Sequence, residues 1–182
     1  MKLANVTDRL SFVQNYLIRD MGAFRKIVER KPFTFFNVRH PYERLVSAYT
    51  MFRAQNREVG RDTFEEFIRE EVLEKANLGG NEIGNLEMEP HLRPSNSYCA
   101  FCNIKYDVVS MMETFHEDTM RIKELLGLDD PKVETRLRIN TGDKILNMTR
   151  NYFKNISMSD KEELKTLYQF DFAMFDYNPD LY

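Results

Sequence analysis

The spacing of apolar side chains predicts a long helix and then a short strand at the start of the chain. Over residues 8–30, apolar positions recur close to helical spacing, and Asp8 is available as a cap. The inward side chains are Leu10, Val13, Leu17, Met21, Phe24 and Ile27. Pro32 ends this pattern, and the apolar and aromatic run over residues 33–38 indicates a strand that is buried on both faces.

A second helix is predicted directly after this strand. Pro41 stands where the first turn of a helix tolerates proline. Behind it, one helical face carries the apolar residues Leu45, Ala48, Tyr49 and Phe52. We therefore expect a helix over residues 41–54 that lies on the sheet, so that the local unit is strand, tight turn and helix.

A third helix and an irregular segment follow. Thr63 and Glu66 have the spacing of a capping box, which predicts a helix that begins there. Its apolar face is formed by Phe64, Phe67, Ile68 and Val72. Residues 77–97 are rich in Gly and Asn and contain Pro90 and Pro94, and an irregular segment of this length in a compact domain is usually functional or mobile.

The second half of the chain has another strand and two more helices. Residues 106–110 indicate a buried strand, which is followed by a helix that ends at Gly127. Residues 128–158 have no decisive pattern. The last helix is predicted over residues 159–170, where Ser159 and Glu162 have capping-box spacing. Its inward side chains are Leu164, Leu167 and Tyr168.

Short apolar strands that alternate with helices indicate an α/β fold in which a parallel sheet is flanked by helices. The chain has 182 residues, 42% of them hydrophobic, and contains neither a repeat nor a Gly/Ser linker. This is enough for one continuous core, so we expect a single domain over residues 1–182.

The net charge of −3 argues against nucleic-acid binding, which usually requires a basic excess. Any anion site must therefore be local. No stretch approaches the roughly 18 apolar residues that span a bilayer, and the first residues lack the apolar region of a signal peptide.

Arg39 and Ser47 are the candidate phosphate-binding residues. In a parallel α/β fold, ligands bind beyond the carboxyl ends of the strands, where the N-terminus of a helix offers N–H groups to an anion. Arg39 ends the first strand and supplies a planar, charged guanidinium, and Ser47 supplies a hydroxyl about two turns into the helix. The alternative is structural: Arg39 only ends a strand, Arg44 pairs with a surface carboxylate, and Ser47 is an ordinary helix residue.

The string Arg39-His-Pro-Tyr-Glu-Arg-Leu-Val-Ser-Ala-Tyr49 closely resembles the 3′-phosphate-binding motif of Golgi carbohydrate sulfotransferases. Later motifs follow the order of the chondroitin, dermatan, N-acetylgalactosamine 4-O and HNK-1 sulfotransferases. They are His91-Leu-Arg-Pro94, Cys99-Ala-Phe-Cys102, Tyr106-Asp107, Glu113-Thr114 and the ending over residues 168–177. The resemblance covers about residues 30–178.

This resemblance implies a P-loop-like sulfotransferase fold that uses 3′-phosphoadenosine 5′-phosphosulfate as the donor. It also implies that Arg39 and Ser47 hold the 3′-phosphate of that donor, and that the acceptor is a glycan or a proteoglycan. Full-length members of the family have a membrane anchor and act on the luminal side of the Golgi membrane. Within residues 1–182 we expect no such anchor, because no stretch is apolar enough.

One part of the family pattern is missing before Arg39. The family has an upstream Lys-containing loop that holds the 5′-phosphosulfate, whereas residues 8–30 here read as one helix. We therefore expect an N-terminally truncated sulfotransferase domain, and the alternative is a catalytically silent protein that binds nucleotide or glycan. A kinase of related topology is disfavoured because no Gly-x-x-x-x-Gly-Lys-Ser/Thr loop is present.

A sulfotransferase needs a general base near the acceptor hydroxyl, and histidine is suited to that role at neutral pH. Of the three histidines, His40 is assigned to capping or packing and His116 to the surface of a helix. His91, in the irregular segment, is the candidate base, although a structural role stays open. Glu87 and Glu89 are weaker candidates for the same role.

Cys99 and Cys102 are compatible with a disulfide, a redox motif or half of a metal site. His91 and His116 could complete a zinc site, but no second cysteine pair exists, so no metal is predicted. The resemblance to luminal enzymes implies a disulfide that joins these two cysteines.

Three Asn-x-Ser/Thr triplets, at Asn5, Asn147 and Asn155, favour a glycoprotein of the secretory pathway. Basic residues also follow the phosphate-binding helix, at Arg53, Arg57 and Arg61. These are interpreted as a solvated face, and the alternative is that they attract an acidic polysaccharide.

Overall fold

The computed structural model describes residues 22, 26, 29–58, 63–78, 88–95, 97, 105–128 and 143–182. The chain divides into two compact units, Met1–Thr34 and Phe35–Tyr182. In the first unit Gly22, Lys26 and Glu29 are helical, in agreement with the predicted first helix as far as the described residues reach.

The second unit contains a parallel pair of strands, β1 (Phe35–Val38) and β2 (Val108–Met111). Parallel pairing is therefore confirmed. The prediction that both strands are fully buried is wrong, because Phe35 is 48% exposed and Val109 is 44% exposed. The described sheet has two strands, so each is an edge strand, and burial is restricted to positions such as Val38.

Helix α1 (Pro41–Ala54) begins two residues after β1 and confirms the predicted strand, turn and helix unit. The four residues of its predicted apolar stripe are all buried. It packs against α4 (Asp143–Phe153), and the ring of Tyr42 stacks on that of Phe153 with centroids 4.5 Å apart. The helix thus packs on another helix.

Helix α2 begins at Phe64–Phe67, continues as a π-helix over Ile68–Glu74 and ends with Lys75–Leu78. The predicted capping box is present, because the Glu66 N–H donates to Thr63 Oγ1 at 3.3 Å and the Thr63 N–H donates to Glu66 Oε2 at 3.0 Å. The predicted apolar face of this helix is buried.

Helix α3 (Phe115–Leu126) ends as predicted at Gly127, whose φ of 60° suits a residue without a Cβ. Helix α4 lies in the stretch where the sequence pattern was indecisive. Its inward positions do have helical spacing: Ile145, Met148, Thr149, Tyr152 and Phe153. Asn147 and Asn151 lie on the exposed face of α4, and the polar member of the inward stripe is Thr149. The last apolar residues of α4 are the ones that enter the core.

The final helical segment differs from its prediction in two respects. Helix α5 (Met158–Leu167) is capped by Ser157, whose hydroxyl accepts the Asp160 N–H at 3.1 Å, so the predicted cap at Ser159 is wrong. A separate helix α6 (Gln169–Phe175) follows directly. Leu164 and Tyr168 are buried as predicted.

The core of the second unit is rich in aromatic rings from α1, α2, α4 and the C-terminal segment. Its largest fully buried side chains include Tyr42, Tyr49, Phe52, Phe67, Phe153 and Tyr168. None of the described helices is long and apolar enough to cross a membrane.

Candidate functional site

The turn between β1 and α1 is built around His40, which is 2% exposed. Its Nδ1 accepts the Tyr42 N–H at 3.2 Å, and its Nε2–H donates to the Asn178 carbonyl oxygen at 3.0 Å. The predicted role of His40 in capping and packing is therefore confirmed. It fixes the start of α1 directly behind Arg39.

Burial lowers the pKa of His40 below its ordinary value of 6.5, an effect partly opposed by the bond to Asn178 and by the charge of Glu113. A neutral ring with the proton on Nε2 fits both hydrogen bonds. Because Pro41 has no N–H and the Tyr42 N–H is used by the cap, the first turn offers an anion fewer backbone donors than the sequence predicted.

A cavity of about 470 Å³ opens at this turn. Its walls come from the turn, the end of β2, α4 and the C-terminal segment: Arg39, His40, Glu43, Met111, Met112, Glu113, Ile145, Leu146, Asp176, Tyr177, Asn178, Leu181 and Tyr182. Arg39 has the only positive side chain among these lining residues. The acidic residues Glu43, Glu113 and Asp176 line the same cavity.

Two phenols contact these carboxylates. The Tyr182 hydroxyl donates to Glu43 Oε1 at 2.6 Å, and the Tyr177 hydroxyl donates to Glu113 Oε2 at 3.3 Å. Burial is the main cause that raises the pKa of both phenols, and the nearby carboxylates raise it further. Each phenol therefore stays a neutral donor. The positive charge of Arg39, which lines the same cavity, acts in the opposite direction on the pKa of Tyr177.

Ser47 lies on α1 one turn beyond Glu43, so the two residues share a helical face. It is partly buried and does not line the cavity. The structure thus brings Arg39 and Glu43 to the cavity and places Ser47 next along the same face.

Arg44 has a buried partner rather than the surface partner of the structural alternative. Its Nη2 lies 3.0 Å from Asp171 Oδ2, and Asp171 is 2% exposed. Arg44 Nη1 also donates to Ser95 Oγ at 3.0 Å. The Ser95 N–H donates to Asp171, so this ion pair anchors the segment that contains His91 to α1 and α6.

His91 is exposed and does not line the cavity. Its ring meets the Phe52 ring edge to face, with centroids 6.1 Å apart. At a rise of 1.5 Å per residue, Phe52 lies roughly 8 Å along the α1 axis from Ser47 and about 16 Å from Pro41. The three predicted site residues therefore lie in succession along α1: Arg39 before it, Ser47 within it and His91 near its end.

For several predicted residues the structure gives only the exposure, or no description at all. Cys99, Cys102, Glu87, Asn5 and Arg61 lie outside the described residues. Asn147 and Asn155 are exposed, and so is His116, as expected. No group of His, Cys, Asp or Glu that could hold a metal ion occurs in the described part of the chain.

Sequence reasoning missed the acidic and aromatic side of the cavity. Tyr177 was predicted only as the last residue of the family-like ending over residues 168–177, and no role was predicted for Glu43 or Tyr182. The signal that could have found Glu113 is its position two residues after the end of β2, because the carboxyl ends of parallel strands meet at one edge of a sheet.

Comparison with known proteins decides the family. The family model described as "Sulfotransferase family" matches residues 5–178 of the chain. The chain belongs to the sulfotransferase family. This confirms the predicted family, and the match begins earlier in the sequence than the resemblance over residues 30–178 did.

Curated relatives of this sulfotransferase family member include carbohydrate sulfotransferases. Carbohydrate sulfotransferase 11 of Mus musculus is 29% identical over an alignment 197 residues long, gaps included. The alignment covers 96% of this chain and 54% of the relative. Carbohydrate sulfotransferase 10 of Gallus gallus is 28% identical over 173 residues, which covers 80% of this chain and 46% of the relative. The chain thus spans about half the length of these relatives. No solved structure matches it significantly.

Proposed function

We propose that this chain acts as a carbohydrate sulfotransferase that transfers a sulfuryl group from 3′-phosphoadenosine 5′-phosphosulfate to a glycan hydroxyl. The observation that carries the proposal is the position of Arg39. It follows the end of β1, at the carboxyl edge of a parallel sheet, and its side chain lines a cavity of about 470 Å³. Membership of the sulfotransferase family and the names of its relatives support the reaction class.

In this proposal Arg39 binds the 3′-phosphate of the donor, and Ser47 adds a hydroxyl hydrogen bond. Among the lining residues, Arg39 carries the positive charge, and Glu43, Glu113 and Asp176 carry negative charges. An anion therefore depends on its guanidinium, because without it the described lining residues would carry only negative charge. Loss of Arg39 should consequently weaken donor binding much more than loss of an exposed arginine.

The acceptor is proposed to bind near His91, toward the far end of α1. His91 is exposed there, so a glycan hydroxyl could reach its ring. The family further supports a P-loop-like fold, a disulfide between Cys99 and Cys102, and action on the luminal side of the Golgi membrane. The exposure of Asn147 and Asn155 is compatible with glycosylation in that compartment.

A second candidate is a catalytically silent protein that binds the nucleotide or a glycan. The observation that favours it is the acidic lining of the cavity, where one cation faces three carboxylates. Transfer of a sulfuryl group, like that of a phosphoryl group, depends on positive charge at the transferring group and the leaving oxygen. The first candidate predicts sulfate transfer, and the second predicts binding without transfer.

Sulfate transfer from the labelled donor to desulfated chondroitin separates these candidates. We expect transfer by the wild type, and a fall in kcat/KM of roughly tenfold to a hundredfold in Arg39→Ala, because a charged hydrogen bond is lost. Arg121→Ala is the matched control, since Arg121 is exposed and pairs with Glu124 on α3; it should transfer at the wild-type rate.

Equal rates in Arg39→Ala and the wild type would remove the phosphate assignment. Binding of adenosine 3′,5′-bisphosphate without any turnover would instead support the silent alternative and overturn the proposed activity.

A further inference from the structure

Four side chains meet near the C-terminal end of α1, away from the cavity: Phe52, Arg57, Glu89 and His91. Phe52 is fully buried, whereas the His91 side chain is 57% exposed. The Glu89 carboxylate lies between Arg57 and His91 and is 17% exposed. The cluster therefore combines a shielded carboxylate with an accessible imidazole.

Glu89 holds His91 at two points. The His91 main-chain N–H donates to Glu89 Oε2 at 2.6 Å, and Nδ1 of the ring lies 3.0 Å from both carboxylate oxygens. A carboxylate is an acceptor only, so Nδ1 must carry the proton in this contact. The second ring nitrogen, Nε2, then has a free lone pair when the ring is neutral, and it has no partner among the described residues.

Arg57 holds the carboxylate from its other side. Its Nη1 lies 3.4 Å from Glu89 Oε1, and its guanidinium lies over the Phe52 ring, 4.0 Å from the centroid. The His91 ring meets the same Phe52 ring edge to face. Phe52 thus supports both members of the cluster that flank Glu89.

The backbone around His91 is also held in place. Met88 and Leu92 are buried on either side of it, and the Tyr168 hydroxyl donates to the Leu92 carbonyl oxygen at 2.5 Å. The Ser95 N–H donates to the buried Asp171 carboxylate. His91 is therefore presented by an anchored segment, which suits a group that must meet a substrate in one orientation.

We propose that Glu89 is a positioning residue that holds His91 with Nδ1–H directed at its carboxylate, so that Nε2 accepts the proton of the acceptor hydroxyl. This inference rests on the proposed function. Glu89 was a weaker candidate for the general base in the sequence analysis. Here it orients the base instead. The arrangement of a base oriented by a carboxylate recurs in other enzymes on unrelated folds.

In the transfer step, the acceptor oxygen forms a bond to sulfur, and the bond from sulfur to the donor's 5′-phosphate oxygen breaks. The leaving phosphate oxygen takes the electron pair of the broken bond. The hydroxyl proton moves to His91 Nε2 and makes the ring positive, and the Glu89 carboxylate stabilises that charge. Glu89 therefore contributes more in the transition state than in the ground state, so its loss should lower kcat and leave KM nearly unchanged.

The test compares the full chain with Glu89→Gln, His91→Gln and the double variant in sulfate transfer to desulfated chondroitin. We expect kcat to fall roughly tenfold to a hundredfold in Glu89→Gln, with KM for donor and acceptor unchanged. The double variant should be no slower than His91→Gln, because Glu89 acts only through His91. Glu70→Gln, an exposed change on α2, is the control and should keep the wild-type kcat.

The tautomer of His91 gives a readout that does not depend on turnover. In ¹⁵N spectra of the neutral ring, assigned with His91→Gln, the wild type should show a proton on Nδ1, and Glu89→Ala should lose that preference. A proton on Nε2 in the wild type would overturn the inference, as would a wild-type kcat in Glu89→Gln or additive losses in the double variant. Absence of transfer by the wild type would overturn the proposed function, while the spectra would still decide whether Glu89 orients His91.

Discussion

His40 shows how one residue links the candidate site to the rest of the unit. Its ring caps α1 on one side and donates to Asn178 on the other, and it lies among the rings of Tyr42, Phe172, Tyr177 and Tyr182. A protonated ring could not accept the Tyr42 N–H and would place a charge in an aromatic environment. The site should therefore depend on His40 being neutral.

The lowered pKa of His40 predicts a loss of stability in acid. Below its unfolded pKa of 6.5, the unfolded chain binds a proton that the folded chain does not, so the free energy of unfolding falls until pH reaches the folded pKa. Thermal unfolding should show a loss on the order of 1 kcal/mol per pH unit in this window.

His40→Asn keeps a capping side chain and removes the titrating group, so it should have a weaker pH dependence than the wild type. His116→Asn, which changes an exposed residue, should follow the wild type. Parallel pH profiles for the wild type and His40→Asn would contradict this account.

At the residue scale the sequence predicted the roles that depend on neighbours in the chain. The position of Arg39 after a strand and the capping role of His40 follow from a strand, turn and helix pattern. The partner of Arg44 could not be predicted, because Asp171 is 127 positions away in sequence. A buried ion pair of this kind depends on how α1 and α6 pack, which no local pattern reports.

At the element scale the helix start after α4 shows where local signals become ambiguous. Ser157 and Ser159 are each followed three positions later by a carboxylate, so both have the spacing of a cap. The structure selects Ser157, because Phe153 and Ile156 are both buried and the chain must turn between them and α5. Burial at the end of one helix thus sets the start of the next.

This choice predicts different effects for the two serines. Ser157→Ala should lower the free energy of unfolding by about 1 kcal/mol, since a capping hydrogen bond to Asp160 is lost. Ser159→Ala, inside the first turn of the same helix and exposed, should change it by less than about 0.5 kcal/mol. Denaturant unfolding of the two variants measures the difference, and an equal or larger loss in Ser159→Ala would contradict the assigned cap.

The helices and their inward faces were generally predictable, whereas the burial of the strands was not. The stripe on α1 and the capping box of α2 are strong local signals, and both are present in the structure. The exposure of Phe35 could not be read from the sequence, because an apolar run looks the same in an edge strand and in a central strand. Helix α4 was missed because its apolar stripe is short and contains the polar residue Thr149.

At the scale of the whole second unit, the cavity depends on residues that are far apart in the sequence. Tyr182 reaches Glu43 across 139 positions, and Asn178 accepts from His40 across 138. The C-terminal segment therefore forms one wall of the site that the family motif begins. Local sequence patterns located Arg39 and Ser47, but only the family resemblance pointed to the importance of the C-terminal segment.

Arg39 is proposed to bind the 3′-phosphate of a nucleotide. Calorimetric titration of the wild type and Arg39→Ala with adenosine 3′,5′-bisphosphate and with adenosine 5′-monophosphate measures this role, because the two ligands differ by that phosphate alone. The wild type should prefer the bisphosphate by roughly tenfold to a hundredfold, and Arg39→Ala should bind the two ligands about equally. If Arg39→Ala kept the full preference for the bisphosphate, another group would have to bind the 3′-phosphate and the assignment would be wrong.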